Sequence, residues 1–466
     1  MIAVVVSRAD YASEHIGEQL HSKAEWMENE DDSRPDADGG GTYYQREGFE
    51  LREFESLHLD IENVAEAFSN PEMLVFASRH SGDTGPLLTA HFTGNFGPAE
   101  YGGADGKLAE TSPNAQKKLL DSFDEHAPES YEVGMECTHH GPSEVRVPSM
   151  FVELGSGDEQ WNDSDAARAV AQAILDLHGV EPTRERQLVG FGGGHYVPRF
   201  ERIVRETDWA VGHIASDWNL EELGSPDESQ ARETIRQAFE RSGAEYAVCE
   251  GEYPELESVV ADLGYRLVSE TWVREVSGVS LSLAEKLETE LSSVESGLRF
   301  GEVAGSMGTA ADTDDTDDTD DADDPNDADD PNEFEIVPLP DDLLDSATGI
   351  DREETRDAVA KHAIAFETEQ GGTRVSGRAA VRGPDDYDAI IDALAALLDR
   401  KYDEVERTPD EIVVRETGFD PEKARKLGVS EGPKFGKLSA GTAVTVAERT
   451  IPPEAVRTER THRFSI

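Results

Sequence analysis

The chain has 466 residues, of which 100 are Asp or Glu and 42 are Lys or Arg, so its formal net charge is −58. This length exceeds one ordinary domain and predicts two domains and a linker. The acidic residues are spread along the chain, which favours a cytoplasm of concentrated salt, where a Debye length of about 3 Å at 1 M screens their repulsion. If the acidic residues served to bind one basic partner, we would expect them to be concentrated on a single face instead.

Simple counts exclude several classes of protein. The only cysteines are Cys137 and Cys249, so the sequence predicts neither a disulfide framework nor a Cys-x-x-Cys zinc motif, and it favours a reducing compartment. The apolar start from Met1 to Val6 is too short for a signal peptide and lacks a basic flank. No segment approaches the roughly 18 apolar residues of a membrane span. We therefore expect a soluble, cytoplasmic protein, and we take a monomer as its expected state.

Apolar strands alternate with amphipathic helices through the first part of the chain. The predicted strands are Ile2–Val6, Met73–Ala77, Leu87–Thr93, Met150–Leu154, Leu188–Phe191, Trp209–Ile214 and Tyr246–Cys249. The predicted helices include Ser13–Trp26, Ser112–His126, Ser164–Leu177 and Glu228–Arg241. This alternation predicts an α/β domain over residues 1–275, with a mostly parallel sheet and helices on both faces.

The stretch from Tyr131 to Pro142 is the most informative in the chain. It predicts a buried strand with Val133, Met135 and Cys137 on one face, followed by His139 and His140 and a Gly-Pro stop. Adjacent strand residues point to opposite faces, so both histidines can serve one site only if the strand has already ended. Because histidine suits acid–base chemistry and metal binding, we expect a functional site here.

Glu136 and Thr138 lie on the opposite face of this strand from Cys137, beside the histidines. We therefore treat Glu136, Thr138 and His139 as candidates for catalysis. Cys137 shares the apolar register, so we expect it to pack as a small hydrophobic residue and not to act as a nucleophile.

Histidines also follow other predicted strands. His80, His91, His195 and His213 lie at or near strand ends, where parallel strands bring residues to one edge of a sheet. A shared cleft or a zinc site with three ligands and an open position would explain this concentration. No spacing among these residues is diagnostic of a metal, so the pattern leaves a purely structural role open.

A glycine run, Gly192-Gly193-Gly194, precedes His195 and a predicted helix start at Pro198. Glycines at this position would let backbone amides approach a phosphate or a developing oxyanion, with Arg199 as a phosphate partner. The run matches neither the GxGxxG nor the Walker pattern, so it does not support a nucleotide cofactor. A plain turn that needs positive φ is the alternative.

The C-terminal third has a different composition. Residues 276–334 are expected to form an acidic disordered linker, since Asp312–Asp330 contains no basic and no large apolar residue. Residues 335–466 are expected to form a smaller α+β domain. The segment from Asp420 to Lys437, which we call the basic island, contains five basic and three acidic residues. In so acidic a chain it predicts an RNA contact.

Four ordered motifs give the chain a specific resemblance. They are Ser78-Arg79-His80, Leu88-Thr89-Ala90-His91-Phe92-Thr93-Gly94-Asn95, Glu136-Cys137-Thr138-His139-His140-Gly141-Pro142 and Gly190-Phe191-Gly192-Gly193-Gly194-His195-Tyr196. With these motifs the segment from Met1 to about Trp272 resembles the archaeal and plant type of D-aminoacyl-tRNA deacylase, and the acidic composition resembles a haloarchaeal member.

The resemblance implies hydrolysis of the ester between a D-amino acid, for example D-tyrosine, and the tRNA 3′ end, a chiral proofreading activity that recycles tRNA. It also implies zinc and a fold similar to bacterial peptidyl-tRNA hydrolase and nucleoside phosphorylases. With it, the site candidates become catalytic Glu136, Thr138, His139 and His195; metal-binding His80, His91 and His140; and substrate-binding Ser78, Arg79, Asn95, Gly192, Gly193, Gly194 and Arg199.

Two other functions fit the residues alone. A zinc-dependent amidase or peptidase on small N-acyl substrates would use the same histidines. A non-catalytic RNA-binding protein would need concentrated salt to overcome the negative charge.

Overall fold

The computed structural model describes residues 1–307 and 333–466, and the chain separates into two compact units, Met1–Ser277 and Gly278–Ile466. The unit boundary lies close to residue 275, the predicted end of the first domain. The predicted low-complexity tract Asp312–Asp330 lies outside the described residues. Within the described ranges, no helix is long and apolar enough to cross a membrane.

The first unit alternates strands and helices. Its strands are β1 (Ile2–Ser7), β2 (Met27–Asp31), β3 (Gly41–Arg46), β4 (Phe49–Phe54), β5 (Met73–Arg79), β6 (Leu87–His91), β7 (Glu132–Met135), β8 (Ser149–Gly155), β9 (Gln187–Gly192), β10 (Ala210–Ala215), β11 (Tyr246–Glu250) and β12 (Arg266–Leu267). Its helices are α1 (Tyr11–Lys23), α2 (Pro113–His126), α3 (Asp158–Trp161), α4 (Ser164–Leu175), α5 (Pro198–Glu206), α6 (Asp217–Leu223), α7 (Ser229–Ser242), α8 (Pro254–Asp262) and α9 (Glu270–Glu275).

Local sequence signals explain where several helices begin. Asp10 caps α1 and Asp163 caps α4, because each carboxylate accepts hydrogen bonds from two amides of the first turn. Pro113 and Pro198 are the first residues of α2 and α5, where a missing N–H costs nothing.

Eight strands form the first sheet in the order β2-β3-β4-β1-β5-β8-β6-β7. Neighbours are parallel from β4 through β1 and β5 to β8 and again between β6 and β7, but antiparallel at β2–β3, β3–β4 and β8–β6. Only residues 80–86 join β5 to β6, which is too short for the crossover that parallel strands need, so β6 runs in the opposite direction.

The remaining strands form a second sheet, β10-β9-β11-β12, which is parallel throughout. The first unit is therefore α/β, as the sequence predicted, but it contains two sheets, and the larger one is mixed. Hydrophobic alternation identifies strands without identifying their partners, so the division into two sheets was not visible in the sequence.

Different layers cover the two faces of the first sheet. On one face α1, α2 and α4 pack on one another and on the strands, and Gly17 of α1 brings the helix so close that an added Cβ would lie 3.2 Å from Val6. On the other face Val5, Phe76 and Phe151 pack against the segments around Val64 and Val145. Loops and a 3₁₀ turn, Val64–Ala67, therefore cover the face on which we expected helices.

The second unit is α+β. Its strands are β13 (Leu298–Phe300), β14 (Glu335–Pro338), β15 (Ala365–Glu369), β16 (Arg374–Val381), β17 (Glu404–Arg407), β18 (Glu411–Phe419), β19 (Val444–Val446), β20 (Arg449–Ile451) and β21 (Arg457–Ser465). Its helices are α10 (Leu281–Glu290), α11 (Asp341–Thr348), α12 (Arg352–Ala360), α13 (Pro384–Leu398), α14 (Pro421–Lys426) and α15 (Pro433–Ser439).

Antiparallel sheets β13-β15-β16-β14 and β17-β18-β21 share a core with α11 to α13. Residues 281–306, which we assigned to the linker, contain α10 and β13, and β13 pairs with β15. Leu283, Leu287 and Leu298 are buried, so this segment belongs to the second unit although its surroundings are acidic.

The basic island belongs to a small insertion between β18 and β21. Ala424, Val429, Leu438, Ile451 and Val456 form a separate core, around which α14, α15 and the β19–β20 hairpin pack. The lysines and arginine of the island are exposed.

Candidate active site

Two adjacent histidines reach the same site because the strand before them ends early. β7 ends at Met135, and His140 has φ of +49°, a left-handed conformation that breaks the alternation of side chains. The segment is held by its backbone: Cys137 N–H donates to His195 O (2.9 Å) and Gly94 N–H donates to His140 O (2.7 Å). The strand therefore ends before His139 and His140, which is the condition under which both histidines can serve one site.

His91, His139 and His140 form one cluster. Their ring centroids are 4.1, 4.8 and 4.5 Å apart, and one ring nitrogen from each lies within 4.8 Å of the others. In each ring Nδ1 lies 2.8–3.0 Å from a backbone carbonyl oxygen, which fixes Nδ1 as the donor and leaves the lone pair on Nε2. Burial holds the pKa of His139 and of His140 well below the ordinary value, and neighbouring imidazoles add to the effect.

This cluster fits a divalent metal such as zinc. Three imidazoles with their Nδ1 protons held by carbonyl groups match the ligands and outer contacts of three-histidine zinc sites. Burial opposes protonation of His91, but Glu153 raises its pKa above the ordinary value, so a metal would compete with a proton for its Nε2. His91 Nε2 is buried, and its contact with Glu153 Oε1, at 3.5 Å, is too long for a good hydrogen bond, which is costly unless something else binds the atom. Phe151 stacks on His91 with centroids 5.1 Å apart and supplies an apolar wall.

Glu136 and His195 form a hydrogen-bonded pair beside the cluster. Glu136 is 2% exposed, and its Oε2 lies 2.7 Å from His195 Nε2 and 3.8 Å from His139 Nε2. Burial opposes ionisation of Glu136, but the bond to His195 and the nearby imidazoles lower its pKa overall. Burial likewise opposes protonation of His195, but its bonds to Cys137 and Glu136 raise its pKa to about 10. The pair is therefore a carboxylate and an imidazolium at neutral pH.

His80 lies on Glu136 and not in the histidine cluster. Its Nε2 is 3.8 Å from Glu136 Oε1 and 3.3 Å from the Tyr196 hydroxyl, and its Nδ1 is 2.8 Å from Ser156 Oγ. The structure thus groups His91 and His140 as the sequence predicted, but it places His139 with them instead of His80.

His80, Glu136, His139, His140 and His195 line one cavity of about 560 Å³ in the first unit, whereas His91 is fully buried behind it and does not line it. Of the predicted residues, its lining includes Ser78, Arg79, His80, Asn95, Glu136, His139, His140 and His195. Asn95 also donates from Nδ2 to Gly102 O (3.0 Å), and this bond holds the loop at the cavity mouth.

Thr138 does not reach the cavity. Its Oγ1 lies 2.9 Å from His213 Nδ1 and accepts a hydrogen bond from Ile214 N–H (3.2 Å), which ties the segment after β7 to β10. The assignment of Thr138 to catalysis is therefore corrected to a structural role. The early end of β7 turns this side chain away from the face that strand alternation predicted.

The glycine run and Arg199 are also structural. None of Gly192, Gly193 and Gly194 lines the cavity, and Gly193 N–H donates to Asp217 Oδ1 (2.7 Å), so it is not available to an oxyanion. Gly192 has φ of +90°, and a Cβ there would collide with Glu250 O, so the turn explanation holds. Arg199 pairs with Glu270 (3.1 Å) instead of facing a phosphate.

Cys137 contacts the site from behind. Its Sγ is 3.5 Å from His195 Nδ1, but the residue is fully buried and does not line the cavity. A thiol that substrate cannot reach cannot attack it, so the expected packing role fits the geometry.

Glu153 is a site residue that was not predicted from the sequence. It lies on β8, is 3% exposed, lines the cavity and places Oε1 3.5 Å from His91 Nε2. Burial raises its pKa to about 7. The signal was present, since Glu153 is the one charged residue in the apolar run Met150–Leu154.

The chain is similar to proteins of one family. The family model described as D-aminoacyl-tRNA deacylase matches residues 67–268, which include the whole cluster from His80 to His195. Proteins named D-aminoacyl-tRNA deacylase from Natronomonas pharaonis, Halorubrum lacusprofundi and Haloarcula marismortui are 52%, 50% and 48% identical over 100% of this chain and 100%, 97% and 100% of their own. A crystal structure of a conserved protein of unknown function is 30% identical, covers 59% of this chain and 96% of its own, and has a TM-score of 0.53.

Proposed function

Because this chain belongs to the D-aminoacyl-tRNA deacylase family and hydrolyses the ester bond of D-aminoacyl-tRNA, we propose that Glu136 and His195 perform this hydrolysis beside a zinc ion held by His91, His139 and His140. The observation that supports this most is the 2.7 Å bond between Glu136 and His195 at the edge of the histidine cluster, in one cavity.

The pair has complementary roles in ester cleavage. Glu136, held as a carboxylate, accepts a proton from the water that attacks the ester carbonyl carbon. His195, held as an imidazolium, donates a proton to the ribose oxygen as the bond from carbonyl carbon to that oxygen breaks. Proton transfer across the Glu136–His195 bond then restores both groups. The products are a free D-amino acid and tRNA.

Zinc, when bound, would polarise the ester carbonyl and favour the charge that develops on its oxygen. The residues that would hold it are His91, His139 and His140, whose Nε2 atoms are free of backbone hydrogen bonds. Ser78, Arg79 and Asn95 line the same cavity and stay our candidates for contacts with the substrate.

The test is hydrolysis of D-tyrosyl-tRNA and L-tyrosyl-tRNA by the full chain in concentrated KCl, with and without a chelator and with zinc restored. We expect release from the D-substrate only, loss of activity with chelator and recovery with zinc. Equal release from both substrates would contradict chiral proofreading, and an unaffected rate after chelation would contradict the zinc proposal alone. Cleavage of small N-acyl substrates at a comparable rate would favour the amidase alternative.

The basic island supports a second proposal, contact between the second unit and tRNA. Lys426 and Lys437 are exposed and form no ion pair among the described residues, so they can meet phosphates at little cost. Replacing both with Gln should raise KM for tRNA and reduce its salt dependence, with kcat unchanged. Lys361→Gln, an exposed lysine outside the island, is the matched control. An unchanged KM would contradict the proposal.

We propose that the protein is cytoplasmic, as its composition suggests, and monomeric. We also keep, as a proposal, the likeness of the first unit to peptidyl-tRNA hydrolase and nucleoside phosphorylases that the family resemblance implies. Light scattering, which gives the molar mass in solution, tests the monomer. Superposition on solved structures of those two protein classes tests the fold likeness.

A further inference from the structure

Aromatic side chains are concentrated at the mouth of the cavity. Among the described residues the exposed large hydrophobic side chains are Tyr11, Met27, Tyr101, Tyr196 and Trp218. Three of these, Tyr101 (68% exposed), Tyr196 (38%) and Trp218 (38%), line the cavity that contains the catalytic pair. Leaving such rings in water forgoes the free energy of burial, and their grouping in one place indicates a binding surface.

Tyr101 is held by hydrogen bonds to the catalytic segment. Gly141 N–H, one residue after His140, donates to Tyr101 O (2.9 Å), and Asn95 Nδ2 donates to the neighbouring Gly102 O (3.0 Å). Gly103 lies so close to Gly141 that an added Cβ would be 3.2 Å from its Cα. The loop with Tyr101 is therefore positioned relative to the histidine cluster.

Trp218 is held in the same way by the glycine run before His195. Its neighbour Asp217 accepts hydrogen bonds from Gly193 N–H (2.7 Å) and the Tyr253 hydroxyl (2.6 Å), and Asp217 N–H donates to Gly193 O (2.9 Å). Ser216 and Asn219 form a capping box at the start of α6. The backbone that carries Trp218 thus has a fixed place at the mouth of the cavity, and 38% of the residue is exposed there.

Charge at the cavity argues against binding through many phosphates. The lining contains five carboxylates, Asp10, Glu100, Glu136, Glu153 and Glu222, and a single arginine, Arg79. The Arg79 guanidinium lies over the Trp161 ring at 5.4 Å, and its charge acts on the nearby Asp10 carboxylate, which accepts a hydrogen bond from Arg79 N–H (3.1 Å). The site can therefore contact about one phosphate, and most of the affinity for a nucleic acid must come from the aromatic rings.

Stacking of bases on aromatic rings meets this requirement. Each base has a π-face, stacking is available only to bases that are not paired, and stacking does not depend on counterion release. The 3′ end of tRNA is single-stranded and carries the ester that this site cleaves, so it presents unpaired bases beside the reacting atoms.

We propose that Tyr101, Tyr196 and Trp218 form a stacking surface that binds the unpaired bases at the 3′ end of the tRNA, with Arg79 contacting one phosphate. This inference rests on the proposed function and adds to it the element of the substrate that the cavity mouth recognises.

The test measures binding of a short single-stranded RNA ending in C-C-A by the anisotropy of the labelled RNA in concentrated KCl, with quenching of tryptophan fluorescence as a second readout in the variants that keep Trp218. Trp218→Ala and Tyr101→Ala should each raise Kd about ten-fold, while Trp218→Phe, which keeps a ring, should stay within about three-fold of the parent. Met27→Ala, an exposed apolar side chain outside this cavity, is the control and should leave Kd unchanged. Circular dichroism checks that each variant folds.

Kinetics separate this proposal from the proposed function. On D-tyrosyl-tRNA, Trp218→Ala should raise KM by a similar factor and leave the single-turnover rate at saturation within about three-fold. For the parent, a plot of the logarithm of the association constant against the logarithm of the salt concentration should have a slope no steeper than about −0.7, the value for one phosphate contact. Unchanged Kd in the Ala variants of a protein that hydrolyses D-tyrosyl-tRNA would overturn the stacking surface alone. If the parent protein showed no deacylase activity but its Ala variants lost RNA binding, the stacking surface would be supported and the proposed function would be overturned.

Discussion

Replacing Glu136 with Gln is the sharpest test of the catalytic pair. The amide has the shape of the carboxylate and can still accept the hydrogen bond from His195 Nε2, now 2.7 Å away, but it cannot accept a proton from water. Loss of a positioned general base lowers rates by about 10²–10⁴-fold, which is roughly 3–5 kcal/mol in the barrier. We expect kcat to fall by that factor, with KM and the melting temperature little changed.

The assay is single-turnover release of D-tyrosine from D-tyrosyl-tRNA, together with zinc content per chain. Glu132→Gln, an exposed carboxylate at the start of β7, is the matched control and should keep the parent rate. A fall of less than about three-fold in Glu136→Gln would refute the assignment of Glu136 as base. Parallel loss of zinc and rate would instead make Glu136 a ligand, since Glu136, His139 and His195 also place ligand atoms within 4.8 Å of one another.

Four further outcomes are expected. Cys137→Ala should keep kcat within a few-fold because the thiol is buried outside the cavity, and a hundred-fold loss would identify a nucleophile. His140→Ala should lower zinc content, measured by mass spectrometry, and zinc should not restore its activity as it restores the chelated parent. Thr138→Val should leave kcat intact but reduce the free energy of unfolding by about 1–3 kcal/mol, because His213 and the amide of Ile214 lose a buried partner. Hydrogen bonds from arginines, led by Arg202, lower the pKa of Glu270 from 4.5 to about 2, so its stabilisation is present above pH 4.5 and lost as pH falls toward 2; Glu270→Gln should flatten that part of the stability curve.

Much of this protein could be predicted from its sequence because the relevant signals are local. Apolar alternation and helix periodicity depend on neighbouring residues, so strands such as Met73–Arg79 and helices such as Ser164–Leu175 were found within a few residues of their ends. The α/β class of the first unit, the histidine segments and the family resemblance follow from the same kind of information. The strongly negative net charge follows directly from the residue counts.

The tertiary structure decided which of those side chains meet. Glu136 and His195 are 59 residues apart, and the chain brings them together beside a backbone hydrogen bond from Cys137 N–H to His195 O that no sequence pattern encodes. β7 ends at Met135, so the residues after it no longer alternate between two faces: His139 lies with His91 and His140 in place of His80, and Thr138 bonds to His213 of β10. Sequence periodicity assigns a face within one element, whereas a site depends on distances between elements, and these are set by how the whole chain packs.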